Sequence, residues 1–248
     1  MILGIDIGGS GIKAAPVDLD KGAFAADRNR VETPRPATVT DVVAATVRAV
    51  SAFEGADRIG VTFPGVVLHG VVRTAANMHD SWIDAPAEKL FGEALGRPVV
   101  VLNDADAAGV AEMTYGAGRD HPGVVVMLTF GTGIGSAVFV DGQLVPNTEF
   151  GHLHFHGGEA EDYASDRART VYGLDWPKWA HRVQGYLRHL EVLLTPDLFL
   201  IGGGVSKKAD NYLPHINIRT PIRPATLRND AGIIGAALAA SRMPLAVG

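Results

Sequence analysis

The sequence predicts an α/β protein built as two related lobes, and two observations carry that prediction. Short apolar runs alternate with longer amphipathic stretches along the chain, the pattern of strands alternating with helices. In addition, the strand–glycine turn–strand unit that opens the chain, Ile2–Val17, returns at Val124–Val140, with Gly8 falling on Gly131 and Asp18 on Asp141. A repeated supersecondary unit is the mark of a duplicated build. At this length two unrelated glycine hairpins would look the same.

The elements follow in chain order. Ile2–Asp6 is an apolar run that ends in Gly8-Gly9-Ser10-Gly11 and resumes at Ile12–Val17, a strand, a turn and a strand. A third strand is predicted near Ala23–Val31. Pro34 and Pro36 mark a loop, and Thr38 or Thr40 can cap a helix over Val42–Phe53. Ile59–Phe63 is a strand closed by Pro64-Gly65, with another around Val71–Thr74. Ala85–Leu95 is helical, Val99–Leu102 reads as a buried strand, and Asp104–Tyr115 is a helix with acids in its first turn, where the helix dipole favours them. Val124–Phe130 then runs into Gly131-Thr132-Gly133-Ile134-Gly135, followed by Ala137–Val140 and the turn Asp141-Gly142. Leu174–Leu194 is a long helix or helix pair, Leu198–Ile201 a strand entering Gly202-Gly203-Gly204, and Ala231–Ser241 a last helix. The expected division is a smaller N-terminal lobe over 1–103, onto which the final helix (232–248) packs back, and a larger C-terminal lobe over 104–231.

Composition narrows the function classes. The 248 residues are 47% hydrophobic and 20% charged, an ordinary globular balance with no apolar run long enough for a membrane span. The start, MILGIDIGG, has no basic leader, and with no cysteine anywhere disulfides and thiolate metal sites are excluded. A cytoplasmic protein is expected. Net charge is −5, which argues against a nucleic-acid binder. Its distribution is uneven: Arg167–Arg228 holds ten Lys/Arg against four Asp/Glu, a local +6, while the remainder carries −11. Such a segment suits an anionic ligand, although a solvated basic face with counter-charges folded opposite fits equally well.

The chemistry-bearing residues are the two glycine turns and the polar groups that follow strands. Neither turn is a Walker loop or a dinucleotide fingerprint. Gly8, Gly9, Ser10 and Gly11, and Thr132 with Gly133, offer bare backbone N–H groups of the kind that cradle phosphate. Lys13, and Gly202, Gly203, Lys207 and Lys208 farther on, join that candidate set. Asp6, just before the first turn, is placed to hold Mg²⁺ through water; the alternative is a strand-end turn residue. Asn103 and Asp104 stand where a buried strand gives way to a helix. There Asp104 is either a helix cap or the group that takes a proton from an attacking hydroxyl, with Asn103 on the same substrate. Glu149-Phe150-Gly151-His152, with Glu161 beyond, supplies acceptors and a mixed donor suited to vicinal hydroxyls, and Asn77 and Trp82 lie in a loop. His152, His154 and His156 alternate; on a strand they would share a face, but spaced by about 6–7 Å they make a poor metal set.

Together these stretches resemble the ROK family of sugar kinases and sugar-responsive repressors, over nearly the whole chain. LGIDIGGSGIKAAPVD and FGTGIGSAV look like its two phosphate loops, and LNDADAAGVAE like its catalytic segment. EFGHLHF is similar to its sugar-binding Glu-x-Gly-His, and EDYAS carries a glutamate like a further sugar contact. IGGGVS and NDAGIIGAA resemble the segments bordering the nucleotide site in ATP-using members. The resemblance implies the two-lobed actin/hexokinase-like (ribonuclease H-like) fold with a cleft between lobes. It also implies Asp104 as catalytic base, and Asn77, Asn103, Asp104, Glu149, His152 and Glu161 as the sugar set.

TFPGVVLHGVVRTAANMHDSWI, YGLDWPKWAHRVQGYL and PDLFLIGGGVSKKADNYLP are most similar to the actinobacterial branch that phosphorylates glucose from inorganic polyphosphate. That branch implies Mg²⁺ as cofactor, glucose and polyphosphate (or ATP) as partners, a homodimer, and no nucleic acid or membrane. Two departures from the wider family matter. The cysteine-rich zinc motif is missing, so structural zinc is not expected, and the phosphate loop begins within the first ten residues, with no helix-turn-helix before it. An ATP-dependent sugar kinase and a non-catalytic sugar sensor remain the alternatives.

Overall fold

The computed structural model describes residues 1–75 and 78–243. Asn77 lies outside the described residues, as does the end of the chain beyond Met243. The chain forms two compact units, Met1–Ala111 with the segment from Asp230 onward, and Glu112–Asn229.

In the first unit β1 (Ile2–Gly8) and β2 (Gly11–Asp18) form the hairpin around the first glycine turn. The expected third strand is two short ones, β3 (Ala23–Phe24) and β4 (Asn29–Val31), both on β2. Helix α1 (Val39–Val50) is capped by Thr38, whose side chain accepts from Asp41 N–H. Strands β5 (Arg58–Phe63), β6 (Val67–Leu68) and β7 (Val71–Val72), helix α2 (Ala87–Leu95), strand β8 (Val99–Asn103) and helix α3 (Asp104–Tyr115) follow. The main sheet runs β3-β2-β1-β5-β8, antiparallel through β1–β2 and parallel from β1 through β5 to β8. Trp82, read from sequence alongside the sugar residues, is instead fully buried between Phe63 and Phe91 and donates to Ala37 O at 3.1 Å.

The second unit repeats the plan. Strands β9 (Val124–Phe130), β10 (Ile134–Val140) and β11 (Gln143–Val145) are antiparallel neighbours, and the small hairpin β12 (His154–Phe155) and β13 (Gly158–Glu159) follows. Then come helices α4 (Ala160–Ala164), α5 (Asp166–Val171) and α6 (Trp176–Leu194), strand β14 (Leu198–Gly203), helix α7 (Ala209–Tyr212) and strand β15 (Ile222–Pro224). The sheet order β11-β10-β9-β14-β15 has the same sequence of antiparallel and parallel pairs as the first. Two sheets of identical strand order make the repeated glycine unit a duplicated architecture rather than two chance hairpins.

Helix α8 (Ala231–Ser241) returns to the first unit. It lies flush on β1 and β5 because Gly4 and Gly60 have no side chain there. A Cβ on Gly4 would fall 2.0 Å from Ile233 O, and one on Gly60 1.8 Å from Ala236 O. Gly235 likewise meets Ala107 O, at 1.8 Å for an added Cβ, which keeps the start of α3 with the first unit. The division therefore falls inside α3, at Ala111/Glu112, whereas the sequence reading placed it at the start of that helix. Each unit has its own apolar core.

Candidate active site

In the first unit, β1–β2 register sets Asp6 opposite Lys13 and Gly8 opposite Gly11. Lys13 Nζ donates to Asp6 Oδ2 at 2.8 Å, and the hydroxyl of Thr62, the register partner of Asp6 on β5, donates to Oδ1 at 3.1 Å. Asp6 thus holds the Lys13 cation beside the glycine turn. With both oxygens already accepting, the carboxylate fits a hydrated cation held through water better than direct ligation. None of Gly8, Gly9 and Gly11 needs a positive φ. Their worth is space: Gly9 has nothing within 4 Å of an added Cβ, and Gly11 lies under Arg30, whose Nε would stand 2.7 Å from a Cβ there. Arg30 donates to Ser10 O at 2.9 Å, and Thr33 donates to Gly8 O at 2.5 Å, so both brace the turn. Neither was read from sequence. The signal for Arg30 is its pairing opposite Lys13 across β4 and β2.

At the β8–α3 junction the capping is done by Asn103. Its Oδ1 accepts from Ala105 N at 2.8 Å and Asp106 N at 3.1 Å, while Nδ2 donates to Gly65 O at 3.2 Å, all in a residue only 6% exposed. Asp104 is exposed, its Oδ1 2.8 Å from Ala105 N. Spacing could not choose between cap and base for Asp104; in the structure Asn103 accepts from two N–H groups of α3, and Asp104 shares one of them, that of Ala105.

In the second unit three sugar candidates converge. His152 Nδ1 lies 2.9 Å from Glu159 Oε2, and His152 Nε2 lies 3.9 Å from Glu149 Oε2. Glu161 Oε2 accepts from Ile134 N at 3.1 Å, and a Cβ on Gly133 would meet that same oxygen at 2.3 Å. Glu161 is thereby tied to the second glycine turn, and a side chain on Gly133 would push its carboxylate out of this position. Burial raises Glu149 above the ordinary carboxylate value, with the Glu161 charge adding to the rise and His152 opposing it. His152 is held above the usual imidazole value, first by its hydrogen bond to Glu159 and also by the charges of Glu159, Glu161 and Glu149, against the effect of burial. Ligand atoms of His152, Glu159 and Glu161 lie within 4.8 Å of one another. The three alternating histidines do not share a strand face: His152 ends a 3-10 turn (Phe150–His152), His154 is in β12, and His156 has φ 53° and stacks on Tyr163 at 4.5 Å.

Around the second turn, Gly131 O accepts from Arg167 N at 3.0 Å, and Thr132 is exposed. Parallel register sets Gly202 beside Thr129 and Gly203 beside Phe130, at the strand end that leads into that turn. Gly203 has φ +76°, and an added Cβ would strike Phe130 O at 2.4 Å. Lys207 and Lys208 follow, both exposed, at the end of a 3-10 turn (Gly204–Lys208) whose Val205 and Ser206 are buried. The basic segment is mostly committed elsewhere. Arg169, Lys178 and Arg219 meet Asp166, Asp175 and Glu191 at 2.7, 3.5 and 4.0 Å. Arg182 stacks between Tyr163 and Tyr172, at 4.6 and 4.7 Å, and Arg223 donates to Ala117 O at 3.2 Å. Arg167, Lys207 and Lys208 are exposed and form no ion pair among the described residues.

The ROK family model matches residues 2–166. The chain is 53% identical to the polyphosphate glucokinase of Mycobacterium tuberculosis over 95% of its own length and 89% of that protein. The crystal structure of the inorganic polyphosphate/ATP-glucomannokinase from Arthrobacter sp. strain KM superposes with a TM-score of 0.92 at 50% identity, covering 97% of this chain and 98% of that one. The ROK family glucokinase of Streptomyces griseus, solved with glucose and AMPPNP, gives 0.85 at 26% identity, covering 98% and 99%. The fold is of the actin/hexokinase-like class, with one ribonuclease H-like sheet in each unit. The chain belongs to the ROK family.

Proposed function

We propose that the protein is a glucokinase that transfers the terminal phosphoryl group of inorganic polyphosphate to the 6-hydroxyl of glucose. The observation that carries this reading is likeness over nearly the whole chain to proteins named as polyphosphate-dependent sugar kinases. Asn103, Glu149, His152 and Glu161 hold the sugar hydroxyls, with Asn77 as a further contact. Asp104 orients the 6-hydroxyl and accepts its proton as the O6–P bond forms and the bridging P–O bond to the rest of the chain breaks. The transition state is loose and its charge sits on the phosphoryl oxygens, so orientation matters more than base strength.

Backbone N–H groups of Gly8–Gly11 and of Gly131–Gly133, with Lys13, grip the terminal phosphate, and Gly202, Gly203, Lys207 and Lys208 extend the donor site. Mg²⁺, held through water by Asp6, would supply charge compensation on the donor. ATP is a second donor in this reading, on the strength of the Arthrobacter protein, which is named for both.

The protein is further read as a cytoplasmic homodimer with no zinc, no nucleic acid and no membrane partner; among the described residues no helix is long and apolar enough to cross a membrane. The test is a coupled assay for glucose 6-phosphate with purified protein, glucose, polyphosphate and Mg²⁺. Sustained product formation is expected. Saturable glucose binding with no product from any phosphoryl donor would leave a sugar sensor.

A further inference from the structure

We infer that Glu159 is a positioning residue of the sugar site: it takes the Nδ1–H of His152 and so fixes Nε2 as the nitrogen that faces a sugar hydroxyl. This rests on the proposed role of His152 as a sugar contact. A histidine ring has two nitrogens, and the partner of one decides what the other can do. Glu159 Oε2 lies 2.9 Å from His152 Nδ1. An ionised carboxylate only accepts, so Nδ1 carries the proton and the ring is held in one orientation. Nε2 is then the outward atom. At 3.9 Å from Glu149 Oε2 it is too far for a direct hydrogen bond, and a single hydroxyl can contact both groups.

The position of Glu159 is built into the local fold. Strands β12 and β13 pair His154 with Glu159 and Phe155 with Gly158, and the connecting His156 and Gly157 both take positive φ, 53° and 85°. Ala160 N closes the hairpin on Leu153 O at 2.9 Å, and Phe155 anchors it against Tyr163 and Tyr186 with ring centroids at 5.6 and 6.1 Å. From the other side, Tyr186 OH donates to Phe150 O at 3.0 Å and fixes the turn that carries His152. The charged groups facing His152 are Glu149, Glu159 and Glu161, all acidic, and Glu161 is engaged by Ile134 N–H. The His152–Glu159 side chains are each 50% exposed, a setting in which an ion pair adds little to stability. What the contact does control is tautomer and ring orientation, the usual task of a carboxylate behind a working histidine.

Steady-state kinetics on Glu159→Ala, Glu159→Gln, His152→Ala and the double variant test this. Glu159→Ala should raise the glucose KM about tenfold, the effect of losing about one hydrogen bond's worth of ordering, while kcat and the polyphosphate KM change less than about threefold. Glu159→Gln, which can still accept the Nδ1–H, should recover most of that loss. The double variant should be no worse than His152→Ala, because Glu159 acts only through the ring. If His152→Ala leaves the glucose KM unchanged, the sugar-site reading fails. If His152→Ala raises it but Glu159→Ala does not, or the two effects add in full, Glu159 is not a positioning residue. Imidazole ¹⁵N shifts give a readout independent of turnover: Nδ1 should be protonated in the parent and lose that preference in Glu159→Ala. Unchanged Nδ1 protonation would overturn the inference.

Discussion

Neighbouring substitutions at the end of β8 should separate stability from chemistry. Asn103 Oδ1 caps α3 through two N–H groups, and its Nδ2 satisfies the buried carbonyl of Gly65. Asn103→Ala therefore loses a cap, about 0.5–2 kcal/mol, and leaves a buried carbonyl without its donor, about 1–3 kcal/mol. The sum, about 3 kcal/mol, corresponds to a Tm drop of roughly 6–12 °C for a protein of this length. Asp104→Asn is different. The residue is exposed, and an amide oxygen can still accept from Ala105 N–H, so stability should stay within about 0.5 kcal/mol. Without the carboxylate, turnover should fall by about 10²–10⁴. Thermal unfolding and the coupled glucose 6-phosphate assay, run on both variants, give the comparison. An Asp104→Asn protein that keeps a tenth or more of parental activity, or melts as low as Asn103→Ala, would refute the division of labour.

Glu112 is fully buried, and its carboxylate accepts from Leu227 N at 2.6 Å, Ala117 N at 2.8 Å and Thr226 Oγ1 at 3.2 Å. Glu112→Gln turns an NH₂ toward one of these donors and should cost about 2–4 kcal/mol in urea unfolding; a cost below about 1 kcal/mol would show that the carboxylate does not hold the 226–227 segment to the end of α3. Glu149→Ala should raise the glucose KM alone, whereas Glu161→Ala should raise the KM for glucose and polyphosphate together, because Glu161 also holds Ile134 N–H beside the glycine turn. Equal donor KM values in the two variants would contradict that coupling. His152 should titrate above 6.5 by NMR, since Glu159 stabilises its charged form. Its contribution to stability is therefore full below 6.5 and lost as pH rises through the raised value; a midpoint at or below 6.5 would contradict the geometry.

Elements with strong apolar patterning and clear end signals were legible in the sequence. Helices α3 and α8 have the expected bounds, and the duplicated hairpins pointed to the duplicated sheets. Strands β11 and β15, at the sheet edges, and the β12–β13 hairpin were not, since each spans only two or three residues and shows no period. Glu149, His152 and Glu161 stand out in the sequence as polar candidates in one short stretch, and Glu159 lies in the same stretch, but its contact with His152 appears only through the β12–β13 register. Asn and Asp cap helices equally well, so the choice between Asn103 and Asp104 needed coordinates. Charge counts alone could not show which cations of the basic segment meet acidic neighbours, as Arg169, Lys178 and Arg219 do, or stack on rings, as Arg182 does on two tyrosines.

Donor choice bears most directly on the proposed function. Initial rates with glucose should be measured with long-chain polyphosphate and with ATP, each at low and moderate salt. A polyanion held by several exposed cations should bind less well as salt rises, and ATP, with fewer charges, should lose less. Neutralising Lys207 and Lys208 together should raise the KM for long polyphosphate more than that for ATP. Polyphosphate should be the faster donor at low salt. Faster turnover with ATP under every condition would contradict the account and leave an ATP-dependent glucokinase.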